Sequence, residues 1–305
     1  MRRVVLMGLA VLSAAAMPLA ASAGPGGPSA PGRAGVAQSS SFTLGGAKCS
    51  LIGVPAAARG AGGVPLTAAA EAAGNGTLPV GVGSCPGVRP GAVVQTDVGL
   101  CTLNFLFEAP DKERFMGTAG HCILDEGGPT GGNVGEKTWP KGQGPVAKDG
   151  QGHRIGEFAY AILQDPKDFS LIRLDPGVQA SPEMCQFGGP TGINDDVGNG
   201  TKVLEYWGNG IGIGTALPAR SAVADGFPNA DHVYAAGLAL PGDSGSAVIT
   251  DDGRAVGVLV TVGVHGFGYD QNGVDLGTIG ITRLAPQLAQ ASRVLGIPLS
   301  LVKAK

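Results

Sequence analysis

The chain has 305 residues, of which 43% are hydrophobic, so it is long enough and apolar enough to bury a sizeable core. Its formal net charge is only -3, and such a balance provides no basic field that would attract nucleic acid or an anionic membrane. The 54 glycines, together with 5% aromatic and 15% charged residues, favour turns and short strands over long exposed helices.

The first 23 residues have the pattern of a secretory signal peptide. A basic start, MRR, precedes the apolar run VVLMGLAVLSAAAM, and the small residues ASA at positions 21–23 offer a cleavage site. A membrane anchor is the alternative, but the run is shorter than the about 20 apolar residues that a spanning helix needs, and no basic cluster follows it. The sequence therefore predicts a secreted, extracellular protein with no membrane partner once residues 1–23 are removed.

Residues 24–89 are predicted to be a linker, a propeptide or an N-terminal extension. Residues 24–46 are rich in Gly, Pro, Ala and Ser, with too little apolar periodicity to pack, which is typical of a linker. The Ala-rich stretch VPLTAAAEAAGNGTLPVGVG further along fits a short helix, a propeptide fragment or an extension tied down by Cys49 or Cys85. The sequence leaves these interpretations open.

From about residue 90 the chain has short β-type runs that are separated by turn signals, so the predicted fold class is all-β. The runs are AVVQTDV, CTLNFLFE, RFMGTAG, RIGEFAYAIL, FSLIRL, TKVLEYWG, SAVIT, AVGVLVTVGV and LGTIGITRL. Near the C-terminus, LAPQLAQASRVLG has helical spacing, with Leu284, Leu288, Ser292 and Leu295 on one face, and Gly296-Ile297-Pro298 is predicted to end the helix.

All five cysteines lie beyond the predicted cleavage site, where an oxidising environment favours disulfides. They form no CxxC pair and no His/Cys cluster with the spacing of a zinc site, so the sequence predicts neither a metal nor another cofactor. The odd number leaves one thiol over.

Three distant residues could together activate a serine. A serine hydroxyl is a poor nucleophile at neutral pH, so acyl transfer needs an imidazole to take its proton and a carboxylate to orient that imidazole. His121 follows an apolar run in TAGHC, Asp168 opens the strand-like run DFSLIRL, and Ser244 lies in PGDSGSAV. A tight glycine turn around Ser244 would let the amides of Gly242 and Ser244 point at one developing oxyanion.

TAGHC, DFSLIRL and GDSGS in this order resemble the trypsin/chymotrypsin-like serine proteases, and LCTLNFLFE...RFMGTAGHC is most similar to their secreted bacterial branch, the streptogrisin and α-lytic protease type. The resemblance covers roughly residues 90–300. It implies two packed six-stranded antiparallel β-barrels, at 90–190 and 191–305, with a C-terminal helix and a catalytic cleft between the barrels. It also implies that His121 is the base, Asp168 its orienting partner and Ser244 the nucleophile.

The same resemblance implies a disulfide between Cys101 and Cys122 that brackets the histidine. For the other cysteines two schemes stay open: Cys185 pairs with Cys85 or Cys49, or Cys49 pairs with Cys85 and leaves Cys185 free.

Two departures from the family pattern bear on the site. The usual GDSGG is GDSGS here, and Ser246 is small enough to keep the turn. No IVGG-like segment offers a new N-terminus for Asp243, so Asp243 is expected to pair with an internal arginine that the sequence does not identify.

In this family the residue six positions before the nucleophile lies at the base of the primary specificity pocket, which the resemblance assigns to Leu238. The opposite wall is expected near Val260 to Gly263. Because no acidic residue lies at the base, a bound Lys or Arg side chain would be an unpaired buried cation, and we expect an apolar preference.

Other functions fit the sequence less well. An α/β-hydrolase would carry G-x-S-x-G after a strand, with its histidine after the serine, whereas the fifth position here is Ser246. A non-catalytic binding or structural protein with a protease-like fold would normally lose a catalytic residue, and all three are present. The sequence thus predicts a secreted serine endopeptidase that acts on protein or peptide substrates as a monomer.

Overall fold

The computed structural model describes residues 41–44, 47–51, 54–55, 85–124, 134–164, 166–185, 187–194, 203–209, 219–224, 230–262 and 277–304. The predicted signal peptide, residues 1–23, lies outside the described residues. Within the described part of the chain, no helix has the length and apolar character that crossing a membrane requires.

The described strands belong to two sheets. The first contains β1 (Ser41–Leu44), β2 (Ala47–Leu51), β12 (Gly192–Ile193), β13 (Val203–Trp207), β14 (Ala219–Ala224), β15 (His232–Ala236), β16 (Ala247–Thr250), β17 (Arg254–Val262) and β18 (Thr278–Arg283). The second contains β3 (Val54–Pro55), β4 (Val93–Gln95), β5 (Gly99–Thr102), β6 (Leu106–Glu108), β7 (Arg114–Thr118), β8 (Gly135–Thr138), β9 (Val146–Lys148), β10 (Arg154–Gln164), β11 (Lys167–Leu174) and β19 (Ser300–Leu301). The helices are α1 (His121–Leu124) and α2 (Leu284–Leu295).

Six strands of the first sheet close into a barrel. Their order is β17-β16-β13-β14-β15-β18, and β18 pairs again with β17, so the ring has no free edge between them. Alternate residues point inward because successive side chains of a strand face opposite sides of the sheet. Val233 and Ala235 of β15 and Ile279 and Ile281 of β18 are accordingly buried in the barrel interior.

The second sheet is a half-barrel, with the order β19-β6-β7-β11-β10-β9-β4-β5-β3 and with β8 paired to β10. Its long central hairpin, β10 and β11, carries an apolar face that is fully buried, as the burial of Phe158, Phe169 and Leu171 shows. The predicted all-β class with a C-terminal helix is therefore confirmed, with one closed barrel and one half-barrel.

Helix α2 packs against the main core through a short apolar face, and it ends at a glycine. Leu284, Leu288 and Ala291 are buried against the main core. Gly296 has a left-handed φ of +67°, and the amide of Ile297 donates to the carbonyl of Ser292 at 3.1 Å. This is the hydrogen-bond pattern of a Schellman C-cap, so the predicted stop signal acts as expected.

Each of the nine predicted β-type runs contains a strand, and CTLNFLFE contains parts of two, β5 and β6. The sequence pattern predicts no strand between residues 24 and 89, yet β1, β2 and β3 lie there. β2 pairs with β17 and lies outside the six-stranded ring, whereas β3 pairs with β5 in the half-barrel.

Candidate active site

His121, Asp168 and Ser244 are in direct contact, although they come from different parts of the chain. His121 Nδ1 lies 2.6 Å from Asp168 Oδ2, and His121 Nε2 lies 2.7 Å from Ser244 Oγ. A carboxylate can only accept hydrogen bonds, so Nδ1 carries the proton and Nε2 is left to accept from the serine hydroxyl. The contacts therefore form one hydrogen-bonded relay from hydroxyl to imidazole to carboxylate.

Asp168 is oriented by a second hydrogen bond to the same residue. Its Oδ1 accepts from the backbone amide of His121 at 3.0 Å, so both carboxylate oxygens are engaged by His121. The next inward residue of β11, Ser170, donates its hydroxyl to the carbonyl of Ala119 at 2.8 Å. Strand β11 thus holds the carboxylate and the start of α1 in a fixed relation.

The turn before Ser244 has the geometry of a type II β-turn. The amide of Asp243 donates to the carbonyl of Leu240 at 3.0 Å, and Gly242, the third residue of the turn, has a φ of +103°. A type II turn favours Pro at its second position and needs a positive φ at its third, which Pro241 and Gly242 supply. Neither Gly242 nor Ser244 donates its amide to another described residue, so both amides are available to an external acceptor.

Gly245 must be glycine both for its backbone conformation and for lack of space around it. It has a φ of +91°, and a Cβ atom there would lie 2.2 Å from the carbonyl oxygen of Thr102 and 2.3 Å from Thr118 Oγ1. The close approach lets Thr102 bind the turn directly: its amide donates to the Ser244 carbonyl at 2.7 Å and its hydroxyl to the Gly242 carbonyl at 2.8 Å. Sequence reasoning missed Thr102, because no local pattern marks a residue that acts on a turn 140 positions away.

Ser246, which replaces the last glycine of the family's GDSGG pattern, takes part in the turn. Its hydroxyl donates to the Asp243 carbonyl at 2.6 Å, and its amide donates to the same oxygen at 3.0 Å. The side chain is fully buried. The substitution therefore adds a hydrogen bond inside the turn and is compatible with its shape.

The partner of Asp243 is Arg220 of β14, which the sequence did not identify. Arg220 Nη1 lies 2.6 Å from Asp243 Oδ2 and Nη2 lies 2.5 Å from Oδ1, a two-point contact. Burial of Arg220 disfavours its charge, but the charge and hydrogen bonds of Asp243 outweigh that effect and raise the pKa of the guanidinium. The pair anchors the turn that carries Ser244 to the barrel.

Two disulfides are present among the described residues. Cys101 is bonded to Cys122, the neighbour of His121, as the family resemblance implied. Cys85 is bonded to Cys185, which is one of the two open schemes and tethers residue 85 to the connection between the sheets. The sulfur atoms of Cys101 and Cys122 lie within 4.8 Å of a His121 nitrogen, but disulfide sulfurs are not the thiolates that bind metal ions.

The residues expected to form a specificity pocket do not all fall within the described region. The carbonyl of Leu238 accepts from Arg220 Nη1 at 3.2 Å and from the hydroxyl of Tyr206. The side chain of Val260 is fully buried in the main core. Gly263 lies outside the described residues, so the pocket itself stays a prediction.

The other histidines differ in setting. His153 is exposed and lies 3.3 Å from Asp149. His232 of β15 is fully buried, and burial lowers the pKa of its imidazole to about 3. Neither of these two histidines contacts the relay. His265 lies outside the described residues.

No protein-family model matches this sequence, and no curated protein matches it. Several solved structures have a chain course similar to that of this protein. One is a glutamic acid specific serine protease, described as using a histidine triad in substrate binding. Its sequence is 15% identical to this chain, its TM-score is 0.46, and the match covers 72% of this chain and 100% of that chain. Thermobifida fusca Protease A is 16% identical with a TM-score of 0.45, over 71% and 99% of the two chains. A Nocardiopsis protease is 19% identical with a TM-score of 0.46, over 70% and 98%. These likenesses are too distant to assign an activity to this chain.

Proposed function

We propose that this protein is a secreted serine endopeptidase of the trypsin/chymotrypsin-like family, similar to the bacterial streptogrisin and α-lytic protease type. The observation that carries the proposal is the relay in which His121 contacts Asp168 through Nδ1 and Ser244 through Nε2, at 2.6 and 2.7 Å. Such a relay makes a serine hydroxyl nucleophilic at neutral pH. The two disulfides support an extracellular location.

In this mechanism His121 Nε2 accepts the proton of Ser244 as Oγ attacks a peptide carbonyl carbon. Asp168 holds the imidazole in the required tautomer and stabilises the imidazolium that forms. The amides of Gly242 and Ser244 donate to the carbonyl oxygen as it becomes negative, and each such donor is worth roughly 3 kcal/mol. His121 then protonates the leaving amine, and water releases the acyl group.

The substrate side chain next to the scissile bond is expected to be apolar. Leu238 would lie at the base of the primary specificity pocket, with Val260 and Gly263 on its opposite wall, and none of them offers a charge to pair with a bound cation. Protein or peptide chains are the proposed substrates, and the enzyme is expected to act as a monomer without a cofactor.

Covalent labelling tests the proposal directly. The secreted protein is incubated with an organophosphonate serine reagent, and the modified residue is found by peptide mass mapping. We expect one adduct on Ser244, with loss of peptide hydrolysis, and no adduct in Ser244→Ala. Ser221→Ala is the control, because that side chain lies on the exposed face of β14 and takes no part in the relay. A wild-type protein that neither reacts nor hydrolyses peptides would instead be a binding or structural protein.

A further inference from the structure

Thr102, the last residue of β5, contacts the turn that carries Ser244 at two points. Its hydroxyl donates to the carbonyl of Gly242 at 2.8 Å, and its backbone amide donates to the carbonyl of Ser244 at 2.7 Å. β5 belongs to the half-barrel sheet, whereas the turn connects β15 and β16 of the barrel sheet. One residue of the half-barrel therefore holds two carbonyls of a turn in the barrel.

These two carbonyls belong to the two residues whose amides are proposed to bind a developing oxyanion. Within Gly242 only the rotations φ and ψ separate the amide from the carbonyl, because peptide groups are planar. Gly242 has a φ of +103°, and a residue without Cβ has the widest freedom to rotate about these bonds. A contact that fixes its carbonyl therefore restricts the direction in which its amide points.

The peptide group between Gly242 and Asp243 is held at both ends. Thr102 binds its oxygen, and its N–H, which belongs to Asp243, donates to the carbonyl of Leu240 at 3.0 Å. The Leu240 contact closes the turn from within. The hydroxyl of Thr102 is the contact that comes from outside the turn, so it can set the orientation of the turn relative to the half-barrel.

The hydroxyl of Thr102 is itself oriented by a neighbour. The backbone amide of Asn209 donates to Thr102 Oγ1 at 3.3 Å, and the side-chain amide of Asn209 donates to the carbonyl of Gly91. A hydroxyl has one hydrogen, so the incoming N–H occupies a lone pair and leaves that hydrogen for the carbonyl of Gly242. Thr102 is fully buried, so water does not compete for these contacts.

We propose that Thr102 is a positioning residue, whose hydroxyl directs the amide of Gly242 toward the oxyanion that forms when Ser244 reacts. The inference rests on the proposed function of the site. Loss of one oxyanion donor lowers the rate of the chemical step by about 10²–10³-fold, and a misplacement of about 1 Å can cost about 10²-fold. A donor that is present but badly directed is therefore expected to lose part of its effect.

Three variants of the full chain at residue 102 test the role of the hydroxyl. Thr102→Val and Thr102→Ala both remove it, and both keep the backbone amide that donates to Ser244. Valine places a methyl group where the hydroxyl was, whereas alanine leaves that space empty, so an effect common to both comes from the lost hydrogen bond. Thr102→Ser keeps the hydroxyl and is the rescue variant.

Thr250→Val is the matched control. Thr250 is 1% exposed, and its Oγ1 accepts from the amide of Arg254 at 3.0 Å in the turn between β16 and β17. The variant removes an equally buried hydroxyl from a different turn. It therefore separates a general loss of stability from an effect on the turn that carries Ser244.

The readout is labelling of Ser244 by an organophosphonate, whose phosphoryl oxygen takes the place of the oxyanion. The maximal labelling rate reports the chemical step, and the reagent concentration that gives half of that rate reports binding. Each variant is first shown to be folded by its midpoint in urea, and labelling is then measured without denaturant.

We expect the maximal rate to fall between about tenfold and about a hundredfold in Thr102→Val and Thr102→Ala, with the half-saturating concentration changed by less than about twofold. Thr102→Ser and Thr250→Val should be labelled at the wild-type rate. If Thr102→Val alone fails to fold, Thr102→Ala provides the comparison with Thr102→Ser.

A folded Thr102→Ala protein that is labelled at the wild-type rate would overturn the positioning role and leave the proposed function intact. An equal fall in Thr250→Val would assign the effect to stability, and loss of folding in both hydroxyl-free variants would show a structural role; either result would also overturn the proposal. A wild-type protein that is not labelled would overturn the proposed function, and this inference with it.

Discussion

Arg220 binds both carboxylate oxygens of Asp243, the residue immediately before the proposed nucleophile, at 2.5 and 2.6 Å. Asp243 is fully buried and Arg220 nearly so. The pair therefore connects the inside of the barrel to the turn that carries Ser244, and it makes the geometry of the site depend on a residue 24 positions away in sequence.

The first prediction concerns this pair. Arg220→Met keeps much of the side-chain volume but leaves a buried carboxylate without its partner, which typically costs about 3–5 kcal/mol. We expect a corresponding loss in the free energy of unfolding, measured with urea, together with slow labelling of Ser244 because the turn is no longer held.

The control for this variant is Arg254→Met, which removes an ion pair with Asp252 in which both side chains are exposed. Such surface pairs contribute at most about 1 kcal/mol, so stability and labelling should stay near those of the wild type. If the two variants lost equal stability, the buried pair would not be the anchor of the turn.

The second prediction concerns Ser246. Ser246→Ala removes the hydroxyl that donates to the Asp243 carbonyl, but the amide of residue 246 still reaches the same oxygen. We expect a loss of about 1 kcal/mol in the free energy of unfolding, the usual net value of one hydrogen bond, with little change in kcat/KM.

Ser221→Ala, on the exposed face of β14, serves as the comparison and should change stability by less than about 0.5 kcal/mol. A large loss of kcat/KM in Ser246→Ala would mean that the hydroxyl positions Ser244 and does more than stabilise the turn.

The sequence predicted those parts of the fold and site that have local signals. Three of these signals each lie within a few residues of sequence. They are the glycines around Ser244, the alternating run after Asp168 and the glycine that ends the helix after Leu295. The apolar spacing of α2, the largely apolar runs of β10 and β11 and the β-branched run of β17 predicted those elements for the same reason.

The missed elements lack such signals. β14 is rich in alanine, a weak strand former, and its inward positions are occupied by Arg220 as well as by Ala222 and Ala224. β1, β2 and β3 lie in a segment that is rich in Gly, Ala and Ser, and they pair with strands that are distant in sequence. The identity of the arginine that pairs with Asp243 likewise depends on tertiary contacts that no motif encodes.

The third prediction concerns Asp168. In Asp168→Asn the side-chain amide can donate to His121 Nδ1, which favours the tautomer with its proton on Nε2 and leaves no acceptor for the serine proton. We expect kcat to fall by about four orders of magnitude, with a smaller effect on KM, as measured with a peptide substrate.

Asp97→Asn is the matched control, because Asp97 is exposed and is not a hydrogen-bond partner in the relay of His121, Asp168 and Ser244. Its kcat should equal that of the wild type. Near-normal turnover in Asp168→Asn would contradict the role of the carboxylate in setting the tautomer.

The fourth prediction concerns the disulfide between Cys85 and Cys185, which closes a loop with a sequence separation of 100. Replacing both residues by serine releases this constraint on the unfolded chain, and losses of about 2–5 kcal/mol are typical for such bonds. We expect a lower midpoint in urea, with labelling of Ser244 retained under native conditions, because Cys101 and Cys122 still bracket His121. A pairing of Cys49 with either cysteine, seen by peptide mapping of the wild type, would contradict the bond.

The fifth prediction concerns the pH dependence of stability and the buried imidazole of His232. Its pKa in the folded protein is lowered to about 3 from 6.5, because burial disfavours the charged form. Between these two values the unfolded chain binds a proton that the folded protein does not, so unfolding is favoured as the pH falls. The stability that the neutral imidazole preserves above pH 6.5 is lost as the pH falls toward 3, with a slope that approaches about 1.4 kcal/mol per pH unit.

In His232→Gln this contribution is absent, so the free energy of unfolding should fall less steeply than in the wild type between pH 6 and pH 4. His153→Gln, which changes an exposed histidine, should leave the wild-type slope nearly unaltered. Parallel curves for the wild type and His232→Gln would show that the buried imidazole does not titrate on unfolding as its environment requires.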